Sequence, residues 1–140
     1  MHAIRLLPAL LVSIMLATPG AAQSPRAEAL NMRLVGHHDL QARSAYQPVI
    51  HRQGQRFIAY VGHHGGTRPN PLTGRDELNG TSIVDVTDPR APRYLAHVPG
   101  APGDAEAGGA SMVRVCDGRT LPRADSAKTY LLRTLGPLAR

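Results

Sequence analysis

The chain has 140 residues, a formal net charge of +6, and a sequence without tryptophan that holds one phenylalanine and four tyrosines. Arginine supplies nearly all the positive charge, and it is spread from Arg26 to Arg140 rather than clustered. A nucleic-acid surface needs a basic stripe with aromatic side chains for stacking, so the composition argues against a nucleic-acid partner. One cysteine, Cys116, excludes an intramolecular disulfide.

The N-terminus reads as a secretory leader. Arg5 is followed by the apolar run Leu6–Ala17 and then by the small residues Gly20-Ala21-Ala22. The run falls short of the ~20 apolar residues that span a bilayer and contains Pro8. Residues 1–22 are therefore expected to be removed on export, and the protein to reside in the periplasm or outside the cell. It would meet a membrane only during that passage.

Residues 23–44 form a polar lead with one short apolar piece, Met32-Arg33-Leu34-Val35, which the pattern predicts as a strand ending at Gly36. Residues 45–51 and 56–62 are predicted strands joined by a tight turn, with Gly54 at the position that needs positive φ. Phe57, Ala59 and Val61 alternate with Ile58 and Tyr60. His63-His64-Gly65-Gly66 ends that hairpin, and Thr67–Asn79 reads as a Pro/Gly/Asn/Arg loop.

Gly80 to Val98 is the clearest stretch. Ser82, Val84 and Val86 face one way, and Ile83, Asp85 and Thr87 the other. Thr87-Asp88-Pro89-Arg90 breaks the strand: Asp88 can accept a turn N–H and Pro89 presets φ. Pro92 then favours extended geometry at the entry to a strand over 93–98. Asp85, a carboxylate between valines, is expected to accept backbone N–H bonds from a nearby loop. Residues 45–98 thus predict one four-stranded antiparallel sheet. A Gly/Pro/Ala-rich connection, 99–109, precedes two further predicted strands, 110–116 and 128–133, within residues 110–135. Residues 136–140 are a tail.

Two pieces of this pattern resemble a known unit. Arg56-Phe57-Ile58-Ala59-Tyr60-Val61 is similar to the strand that precedes the core of the LVIVD repeat, and Ser82-Ile83-Val84-Asp85-Val86-Thr87-Asp88-Pro89, followed by Pro92, is similar to the core itself. The resemblance covers residues 45–98, and the Thr67–Asn79 loop is longer than the family's compact pattern. It implies an exported bacterial β-propeller and carries no catalytic residues with it.

On this reading the fold class is all-β: one four-stranded antiparallel propeller-type blade plus about half of the next, an incomplete β-propeller. A ring needs at least about four blades. Three readings stay open: the N-terminal part of a longer propeller, a small open β-sandwich, or a chain that assembles with others. The expected function is non-enzymatic, binding of a protein or a small ligand at the loop faces.

The alternative is a metal-binding protein or metal-dependent enzyme that uses His-rich strand and loop ends. Its candidate ligands are His38, His51, His63 and His64, because imidazole is a common metal ligand and Gly65-Gly66 allows close approach. No spacing matches a recognised metal motif, and adjacent histidines on a strand face opposite ways. Convergence in space decides this alternative. The sequence leaves the cofactor unknown.

Overall fold

The computed structural model describes residues 30–135. The leader and the tail expected from sequence lie outside them. Residues 30–33 form a separate exposed piece, and the fold proper begins at Leu34.

Its centre is an open antiparallel sheet. Strands β1 (Tyr46–Gln53), β2 (Arg56–Gly65), β5 (Gly80–Asp85) and β6 (Arg93–Pro99) lie side by side in chain order. The four strands expected over residues 45–98 are all present, and β5 is central. β1 and β2 meet Gln53 to Arg56 across a two-residue turn, with Gly54 at φ +62°. Only the first turn residue has positive φ, which is the type II′ requirement and explains the glycine. Pro48, which has no N–H to give, sits within the register shift between Tyr46 and Val49.

The β5–β6 connection is held as its sequence implies. Asp88 Oδ1 accepts from the Arg90 N–H at 3.0 Å. Asp85 Oδ1 accepts from the Thr87 N–H at 3.0 Å, while its Oδ2 receives Arg56 and Arg93 at 2.9 and 3.3 Å. The Thr87 hydroxyl then accepts from the Phe57 N–H at 2.9 Å. These bonds to the charged form hold the Asp85 carboxyl well below the usual range, those from Thr87 contributing most.

Three expectations are corrected. Met32–Val35 forms no strand: Met32, Leu34 and Val35 are exposed and pair with no sheet strand. The chain instead runs on to a single 3₁₀ turn, Leu40–Ala42, that puts Leu40 into the core. The 67–79 loop is largely a hairpin, β3 (Thr67–Asn70) with β4 (Arg75–Leu78). Asn70 closes it, its Oδ1 taking the Leu72 N–H and its Nδ2 reaching Glu77. Within 99–109, expected to be a connection, lies β7 (Ala105–Ala110), paired with the end of β2. Glycine and alanine read as linker residues, yet here they permit backbone contact. Gly109 has φ +77°, and a Cβ there would collide with the His63 carbonyl.

The remaining hairpin, β8 (Val113–Asp117) with β9 (Thr129–Arg133), starts three residues later than its sequence suggests because β7 claims Ala110. It lies against one face of the sheet. Ile58, Tyr60 and Val113 form the core there, joined by Ile83, Val115 and Leu131. On the other face Leu40 packs on Ala59, Val61 and Val84, joined by Val86 and Tyr94. β2 and β5 are thus buried on both sides, which is why each carries apolar residues at consecutive positions instead of strict alternation.

Candidate functional site

The chemistry-bearing side chains gather where β2 ends. His63 and His64 are neighbours on a strand, so they leave opposite faces. His63 is fully buried. Its Nδ1–H donates to the Ser44 carbonyl at 2.6 Å, and its Nε2 accepts from the Ser82 hydroxyl at 2.7 Å. Burial pushes its pKa down to about 4. His97, opposite Ser82 on β6, lies 6.1 Å from His63 ring to ring and donates from Nε2 to the Leu78 carbonyl. Burial lowers its pKa as well.

Arg43 lies beside this pair. It is only 4% exposed, and its guanidinium is spread over neutral acceptors: the carbonyls of Glu77, Arg68 and Pro69 and the amide oxygen of Asn79. No carboxylate reaches it among the described residues. The nearby Glu77 carboxylate is taken by Asn70 and Thr73, each at 2.9 Å. Arg43 Nε has no partner at all among those residues. A buried cation without a counter-ion is unusual, since buried charges are normally paired.

In front of Asn79 opens a cleft of about 450 Å³. Ser44 closes one side, His64 and Gly65 the strand end, Arg68 and Asn79 the β3–β4 side, and Ala105 the β7 side. His64 Nδ1 stands 3.0 Å from Glu106 Oε1, and the His64 ring meets Tyr46 edge-on at 5.0 Å. Asn79, with its Oδ1 fixed by Arg43, has only a long 3.4 Å contact from Nδ2 to the Gly65 carbonyl. The cleft therefore offers N–H donors and positive charge to a small polar molecule, and its volume suits one.

The four histidines proposed as metal ligands do not share this cleft or any other point. His38 Nδ1 accepts the Leu40 N–H at 3.0 Å while its ring stacks on Tyr94. His51 faces the β8–β9 side, 3.6 Å from Asp117. His63 has committed both ring nitrogens, and only His64 borders the cleft. Among the described residues no three His, Cys, Asp or Glu side chains are placed to hold one ion. The physical reason is the strand period: residues 51 and 64 leave one face of the sheet, and residue 63 the other. Cys116 is half-buried on β8 and unpaired.

Arg43, Asn79 and Glu106 were not visible as functional residues in the sequence. No motif surrounds them, and they meet only through the fold. Comparison with protein-family models, with curated proteins and with solved structures returned no match.

Proposed function

We propose that this protein is an exported, non-enzymatic binding module of the β-propeller type, with its ligand cleft at the β2 end of the blade. The observation that carries the reading is the sheet buried on both faces, with a separate antiparallel hairpin stacked on one of them. A propeller blade is an antiparallel meander whose faces pack against its neighbours. In this reading β1, β2, β5 and β6 are one blade, and β8–β9 is the first hairpin of the next.

The LVIVD-like segment supports the same reading. Its aspartate, Asp85, ties three elements through Arg56, Arg93 and Thr87. Its valine, Val84, is core. The leader of residues 1–22 supports export. For the site, His63 favours binding over catalysis. His63 and its partner Ser82 are both fully buried, so no substrate reaches the ring or the hydroxyl, and the pair acts as a brace between the lead segment and β5.

The test is a thermal-shift screen of small polar molecules against the full chain, with NMR of each stabilising molecule before and after incubation. Stabilisation by a molecule that is recovered unchanged is expected. Chemical conversion of a stabilising molecule would overturn the non-enzymatic reading.

A further inference from the structure

We propose that the cleft takes a small carboxylate-bearing molecule, and that the Glu106 carboxylate is an intramolecular stand-in that this molecule displaces from His64. The inference rests on the binding reading and specifies the ligand class.

The charge around the cleft decides the class. Arg68 borders it and gives its Nη1 only to the Thr67 carbonyl. Arg43 stands behind Asn79 as a second cation without a carboxylate, nine-tenths buried and with Nε unpartnered among the described residues. Asn79 relays that charge: Arg43 holds its oxygen, which leaves its Nδ2–H as the donor at the cleft. The Arg68 guanidinium, the Asn79 amide N–H and the His64 imidazole border the cleft, with the Arg43 charge behind Asn79, and together they match an anion. They do not match a cation, because no acidic residue lines the cleft among the described residues and Glu106 stands only beside His64 at its edge.

Glu106 shows which anion. Its carboxylate already lies 3.0 Å from His64 Nδ1, so the cleft edge accommodates that group beside the imidazole. The contact is easily given up. Glu106 is 82% exposed, and a solvated pair of this kind contributes little. The start of the strand that carries it is irregular. Ala105 holds a positive φ of 46°, uncommon for a residue with a Cβ, and the β2–β7 register shifts between His64 and Gly65. Displacement of the exposed Glu106 side chain leaves His64, Asn79 and Arg68 to meet the incoming carboxylate.

Isothermal titration calorimetry of the full chain with succinate, succinamide and inorganic phosphate tests this. Succinate should bind at least about tenfold more tightly than its neutral diamide, a difference of about 1.4 kcal/mol, and more tightly than phosphate. Glu106→Gln should strengthen succinate binding several-fold by removing the competitor. Arg68→Ala should weaken it about tenfold. Both side chains are exposed, and circular dichroism should show the folded sheet in each variant. Equal binding of succinate and succinamide, equal binding of phosphate, no binding, or no gain in Glu106→Gln would each overturn the proposal. The two readings fail separately. Stabilisation by neutral molecules but not by succinate would remove the carboxylate and keep the binding module. Conversion of bound succinate would remove the non-enzymatic reading and keep the carboxylate site.

Discussion

His63 is the side chain on which the most structure converges. One nitrogen holds the lead segment through Ser44, the other holds β5 through Ser82, and the ring has no contact with solvent. Charging it would put a second N–H where Nε2 now accepts, in a site closed to bulk solvent. Its folded pKa of about 4 lies below the unfolded value of 6.5, so the unfolded chain binds more protons between those values. Stability from this residue is complete above about pH 6.5 and falls as the pH drops toward 4, by at most about 1.4 kcal/mol per pH unit. His97 acts in the same direction. Asp85 and Glu77, both held below the usual carboxylate range, lose their contributions only in more acid solution. Urea unfolding of the wild type and of His63→Gln at pH 7.5, 6 and 5 measures this. The wild type should lose stability across the series, and the variant, weaker at pH 7.5, should show a flatter dependence. Parallel profiles would remove His63 from the explanation.

At the scale of elements, β5 separates a core strand from a surface one. Val84 is 3% exposed between Ala59, Val61 and Leu40. Val84→Asp should cost several kcal/mol of stability, because an unpaired charge would be buried. Ile50 on β1 is 63% exposed, and Ile50→Asp should change stability by no more than about 0.5 kcal/mol. Similar losses in the two variants would contradict the packing of β5. Two of the glycines with positive φ, Gly54 and Gly109, make a second contrast. A Cβ at Gly54 meets open space, so Gly54→Ala carries only the conformational strain, about 1 kcal/mol. A Cβ at Gly109 meets the His63 carbonyl and the backbone of His64, so Gly109→Ala adds a backbone collision and should cost clearly more. Chemical unfolding of both variants decides the order.

For the whole molecule, the exposed edges dominate. β6 has an unpaired outer edge, and β8–β9 is a two-stranded ribbon with both edges open among the described residues. Met112 and Leu132 are exposed beside those edges. A hairpin alone is marginal, and open edges are templates for pairing. No intramolecular disulfide can brace the fold, since Cys116 is the single cysteine. The full chain should therefore self-associate as its concentration rises and unfold with low cooperativity when dilute. Equilibrium sedimentation and urea unfolding test both. A monodisperse monomer with stability above about 5 kcal/mol, a normal value for a domain, would contradict this prediction and favour a self-sufficient sandwich.

The strand pattern was legible in the sequence because it is local. Alternation over 56–61 and 82–87, the glycine at 54 and the Asp-Pro turn after Val86 each act within a few residues, and the four-stranded sheet follows from them. The Asp85 clasp was legible too, since a carboxylate on a packed strand must find donors. The histidine cluster was misleading for the opposite reason. Closeness in sequence says nothing of convergence, and the strand period sent His63 and His64 apart. β7 was hidden because glycine and alanine carry no pattern; only contact with β2 makes Ala105–Ala110 a strand. The cleft lay furthest from view. Arg43 and Asn79 stand 36 residues apart, and His63 and Ser82 stand 19 apart. Composition and periodicity set the strands and turns of the central sheet, β1, β2, β5 and β6. Only tertiary packing decided which buried cation faces which amide, because that pairing depends on segments joined through neither the local turns nor the strand period.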